Sequence, residues 1–164
     1  MRSIRLTAVL VALVGLLIGP EVNAASPASG RLLKTKRSLT WTGGPFVLSE
    51  PNYVSQDCLG GASDPLCDHF ALTINLPTGS EIEVSVKTEV PNPPDGAQPL
   101  DGDDYDLFVY APNGALVASA ANVKGNETVV FRHSSRYSGK PYEVRVHPWF
   151  VLPGSTYEGS ARVL

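Results

Sequence analysis

Residues 101–114, DGDDYDLFVYAPNG, join an acidic cluster, a β-strand and a hairpin turn within fourteen positions. Asp101, Asp103, Asp104 and Asp106 place four carboxylates where an alternating apolar run begins. Pro112, Asn113 and Gly114 then supply a fixed φ, a residue tolerant of left-handed backbone and a glycine free to take positive φ. Together they suit a tight hairpin with a glycine bulge. This combination points to a β-sandwich with a candidate cation site.

Outward from that stretch the apolar period is two. Phe70, Leu72, Ile74 and Leu76 alternate with Ala71, Thr73 and Asn75; Ile82, Val84 and Val86 alternate with Glu81, Glu83, Ser85 and Lys87. Tyr142, Val144 and Val146 repeat the pattern, and residues 157–163 form a last strand. Shorter candidates lie at 39–42, 115–119 and 127–132. With 104–110 these make about eight strands separated by Gly, Pro, Asn and Asp, the spacing of an all-β domain. Strands with one apolar face must bury it against another such face, so the predicted fold class is an all-β, two-sheet sandwich.

Residues 1–24 read as a signal peptide: Arg2 and Arg5 precede an apolar run, Pro20 breaks it, and Val22, Asn23 and Ala24 offer a cleavage site. The run is about fourteen residues, short of the ~20 that cross a bilayer, so no membrane span is expected. Removing this segment leaves 11 basic and 15 acidic residues, a net charge of −4. Such mild acidity gives no footprint for nucleic acid. Residues 25–37, ASPASGRLLKTKR, show no sustained period and are expected to be a flexible basic linker, leaving 38–164 as one domain.

In a chain routed to an oxidising compartment, Cys58 and Cys67 close a short loop and are expected to form a disulfide.

Several segments in order carry a family resemblance. LTWTGG at 39–44, CDHFAL at 67–72, DYDLFVY at 104–110 and YEVRV at 142–146 resemble the strands of bacterial pre-peptidase C-terminal domains and the related P domains of proprotein convertases. The pattern in that family is an Asp-x-Asp-Leu-aromatic strand followed by a Pro-x-Gly-like turn. The resemblance implies jelly-roll topology and a binding or stabilising module without an active site. Members usually sit beside a secreted hydrolase, whereas here the signal leads almost directly into the domain.

Asp104 and Asp106 are two apart on one strand, so their side chains share a face at a spacing of ~7 Å. Two such carboxylates repel unless a cation lies between them. Calcium, which takes 6 to 8 oxygens, is the expected ion, with Asp101, Asp103 and loop carbonyls completing the shell and Asp68 a further candidate. The EF-hand pattern fails, because Asp106 stands where it needs Gly and Pro112 where it needs Glu. Residues 90–103, with four prolines, are either a functional loop or a disordered one. His69, His133 and His147 lie in or beside strands without a nucleophile elbow or zinc-protease motif. Trp149 and Phe150, at a strand end beside Pro153 and Gly154, are candidate ligand-binding aromatics.

The function expected from the sequence is therefore a secreted, non-catalytic module that binds an extracellular protein or polysaccharide or stabilises a partner. A small secreted hydrolase and a structural component of an extracellular assembly are the alternatives.

Overall fold

The computed structural model describes residues 25–46, 67–88, 103–122, 126–151 and 154–164. The signal-peptide segment, Cys58, Asp101 and residues 90–102 lie outside them. Nine strands are present among the described residues: β1 (Ser29–Leu33), β2 (Ser38–Gly43), β3 (Asp68–Asn75), β4 (Glu81–Thr88), β5 (Asp104–Tyr110), β6 (Leu116–Ala120), β7 (Glu127–Arg132), β8 (Pro141–Phe150) and β9 (Tyr157–Val163). Helical structure in these residues is one 3₁₀ turn, Ser135–Tyr137. None of it is long and apolar enough to cross a membrane.

The strands form two sheets, ordered β1-β3-β8-β5-β6 and β2-β9-β4-β7. From β2 onward every connection crosses between the sheets except β5 to β6, which form a hairpin. The antiparallel pairs β5–β6, β4–β7, β3–β8 and β2–β9 are nested one outside the next. A long hairpin rolled in this way is a jelly roll. The hairpin tip has the expected chemistry: Gly114 takes φ +82°, and Ala111 both donates to the Ala115 carbonyl and accepts from the Gly114 amide, each at 2.8 Å.

All eight strands expected from the period are found, and the ninth corrects the expected linker at 25–37. β1 pairs in parallel with the edge of β3, from Ser29 opposite Ala71 to Leu33 opposite Asn75. Leu32 and Ala25 are buried in the core. Only Leu32 within β1 is fully buried, so the strand shows no alternation to betray it. A side chain at Gly30 would run into Leu39 and Phe70, which places the β1 backbone close against the sandwich.

Most strands send one parity of side chains into a shared core. Trp41 of β2 and Phe70 of β3 stack across the two sheets with ring centroids 4.0 Å apart and planes 7° from parallel. Phe131 of β7 and Tyr142 of β8 make a second cross-sheet contact at 5.1 Å. Gly159 lies opposite Trp41 in the β2–β9 register, and the indole occupies the place where its Cβ would stand. The bare glycine lets the tryptophan lie flat against β9.

Two substitutions test this packing. Trp41→Ala should cost about 3–5 kcal/mol, the usual penalty for emptying a large aromatic site. Gly159→Ala should cost about 1–3 kcal/mol through overpacking against the indole. Urea unfolding should show lower midpoints with the slope retained; a wild-type midpoint for Gly159→Ala would contradict the close approach.

Candidate functional site

Two polar constellations lie on the five-stranded sheet, at opposite ends of β8. At one end are the sequence-predicted aspartates. Asp103 is buried and accepts from Ser155 Oγ at 2.8 Å and Thr88 Oγ1 at 3.4 Å. Asp106 lies opposite His147 of β8, with Oδ2 3.4 Å from the ring Nδ1. The β5–β8 register shifts between Asp104 and Tyr105, so a bulge marks the start of the strand.

Asp104 Oδ1 is buried with no hydrogen-bond partner. Burial pushes its carboxyl up to about 6, the negative charges of Asp106 and Glu127 push the same way, and His147 opposes them. Glu127, on β7 of the other sheet, is fully buried and accepts from the Asn122 amide at 3.0 Å and Asn122 Nδ2 at 2.9 Å. Its own carboxyl is raised by burial, against the Asn122 bonds, with Asp106 adding to the rise. The sequence reading missed Glu127. The available signal was its phase, since it shares the inward parity of β7 with Val129 and Phe131.

Asp68 is placed elsewhere. It is buried on the core parity of β3 and accepts from the Tyr157 hydroxyl at 2.6 Å and the His69 amide at 2.7 Å. None of these bonds joins it to Asp103, Asp104 or Asp106. Burial raises its carboxyl, while the Tyr157 bond acts the other way. The Tyr157 hydroxyl is in turn held well above its ordinary value by burial and by the charge of Asp68. Among the described residues, no three His, Cys, Asp or Glu side chains converge as metal ligands. Cys67 is buried and is not a free thiol.

At the other end of β8 a cavity of about 500 Å³ opens between β3, the start of β8 and the β5–β6 turn. Ala28, Ala71, Ala111, Pro112 and Pro141 contribute apolar wall, and His69 and Glu143 supply ionisable side chains. His69 and Glu143 are outward-facing neighbours on paired strands, with Nδ1 2.9 Å from Oε1. Arg145 donates to the other carboxylate oxygen at 2.8 Å and lies over the Tyr110 ring at 4.0 Å. Burial alone would raise the Glu143 carboxyl, but its bonds from Arg145 and His69 outweigh that and hold it below the ordinary value. His69 Nε2 is buried without a partner.

The other two histidines have partners too: His133 Nδ1 lies 3.1 Å from the Tyr142 hydroxyl, and His147 faces Asp106. Among the described residues no Ser, Thr or Cys side chain is hydrogen-bonded to any of the three rings. Trp149 and Phe150 are half-buried at the far end of β8 from the cavity, Trp149 edge-on to His147 at 5.8 Å. No family model matches this chain, and no curated protein matches it.

The raised Asp104 carboxyl sets a pH dependence. It binds its proton more tightly in the folded than in the unfolded chain, so ionising it costs stability. That cost is absent below the ordinary value of 3.8, grows up to about 6 and is complete above. Asp104→Asn should therefore raise the melting temperature at pH 7.5 in chelator and leave it nearly unchanged at pH 4. Equal shifts at both pH values would show that ionisation of Asp104 is not strained.

Proposed function

We propose that this chain is a secreted, non-catalytic jelly-roll module, related to the pre-peptidase C-terminal class, that binds an extracellular partner. The observation that carries this reading is the cavity beside the β5–β6 turn, of ligand size and mostly apolar, with ionisable groups confined to one side. The histidine on that side is oriented by Glu143, an arrangement that positions a hydrogen-bonding group as readily as a base. A hydrolase would additionally need a nucleophile in reach of that imidazole. The signal-like first 24 residues and a Cys58–Cys67 disulfide are parts of the same proposal, since both belong to an exported domain.

The test is turnover. Purified protein should release no product from chromogenic esters, glycosides or casein above a buffer control. Hydrolysis that disappears in His69→Ala or His133→Ala would overturn the non-catalytic reading in favour of a small hydrolase.

A structural calcium ion is the second part of the proposal. It is supported by the unpartnered Asp104 oxygen and by the mutual repulsion of Asp104, Asp106 and Glu127. Asp104 and Asp106 would hold the ion, with backbone carbonyls and water supplying the remaining oxygens that calcium takes. Bound only to the folded form, it would stabilise by mass action, ~2.7 kcal/mol at a hundred times its dissociation constant. Millimolar calcium should then raise the melting temperature by several degrees over chelator, and Asp104→Asn with Asp106→Asn should erase that difference. Identical wild-type melting curves in calcium and chelator would remove the ion.

A further inference from the structure

Each sheet ends in two edges, and an edge with free N–H and C=O groups accepts another strand unless something blunts it. Three of these edges are blunted. β1 carries the exposed Arg31 and runs into Lys34, Lys36 and Arg37. β2 is bridged by Ser26, which exchanges two backbone hydrogen bonds with Thr42 at 2.7 and 3.0 Å. β7 begins on Glu127 and ends on Arg132. β6 differs: its sequence, LVASA, holds no charge and no proline, and among the described residues β5 is its one strand partner. The register shift opposite Tyr110 leaves Val117 without a facing residue on β5. Leu116 and Val117 are both exposed, at 51% and 40%. β7, with Val130 exposed at 50%, comes alongside β6 from the other sheet, so the exposed apolar side chains gather on this side of the sandwich.

We infer that β6 pairs antiparallel with β6 of a second copy of this chain, joining two five-stranded sheets into one of ten strands across a two-fold axis at Ala118. The strand's own sequence argues for a copy of itself. In the register centred on Ala118, Val117 faces Ser119 of the second copy and Leu116 faces its Ala120, so each larger side chain meets a small one. No like charges are set against each other, because the strand carries none. A two-fold axis closes the assembly at two chains and leaves neither β6 edge open. Five residues a side fall well short of the ~1,600 Å² of a standard interface, so the association is weak and reversible. This use of the β6 edge is separate from the cavity and from the acidic end of the sheet.

Sedimentation equilibrium of the purified protein between ~10 μM and ~1 mM, the range of a weak complex, tests this. The apparent mass should rise with concentration from one chain toward two. Val117→Lys puts a charge on the edge and should weaken association about tenfold or more, and Ser119→Glu should do the same. Both positions are exposed, so melting temperatures should stay near wild type. Thr40→Lys, at an exposed position of the bridged β2 edge, should leave association unchanged.

Mixing the two variants reads the register. V117K combined with S119E sets a lysine opposite a glutamate across the axis, so the mixture should associate where each variant alone stays a single chain. A one-chain mass for the wild type at every concentration overturns the proposal and leaves the β6 edge to a strand from a different protein. Association that survives Val117→Lys and Ser119→Glu, or is lost in Thr40→Lys, or a mixture no more associated than its parts, overturns it as well. Each of these outcomes leaves the turnover test of the binding-module reading untouched.

Discussion

One hairpin, closed at Ala111–Gly114, is the constraint around which the other strand pairs are nested. Outside the β5–β6 pair lie β4–β7, then β3–β8, then β2–β9, each pair framing the one before it. The positive φ of Gly114 is thus a local requirement with a global reach. Burial supplies the driving force that rolls this ladder. Each sheet has an apolar face, and setting the two face to face removes both from water at once. The Trp41–Phe70 stack and the Phe131–Tyr142 contact show how tightly the two sheets are joined.

An apolar interior leaves charge two places to go. Part of it lies on the outer parity of the five-stranded sheet, where His69 and Arg145 each bond one oxygen of Glu143 and Asp106 meets His147. The rest gathers at strand ends, where Asp103, Asp104 and Glu127 are buried to differing degrees. The two arrangements differ in kind. Around Glu143 opposite charges hold a carboxylate below its usual range, whereas around Asp104 burial and like charges push one above it. The first is electrostatically satisfied; the second stores repulsion, as close carboxylates do.

Period two made eight strands legible, because alternation of residues such as Ile82, Val84 and Val86 directly records which side faces the core. β1 escaped since an edge strand with one fully buried residue leaves no such record. Jelly-roll topology was implied by the family resemblance, while the order of strands within each sheet was not legible, because periodicity carries no information on neighbours. The acidic end was half legible. Asp104 and Asp106 lie two apart in sequence, while Glu127 joins them only through folding of the opposite sheet. Asp68 illustrates the converse: an acidic residue near a motif was drawn into the core by a tyrosine hydroxyl 89 residues away. The cavity was beyond sequence reading, since it belongs to the gap between β3, β8 and a turn.

Nested pairing also has a direction in time. A chain emerging from its N-terminus presents β2 almost at once, yet its partner β9 holds the last strand residues of the chain. Trp41 therefore has no backbone of β9 to lie against until residues 157–163 have been made. Only the inner pairs can form earlier, and the outer sheet edges stay open meanwhile. Long-range pairing of this sort folds slowly and leaves unpaired strands exposed while it waits.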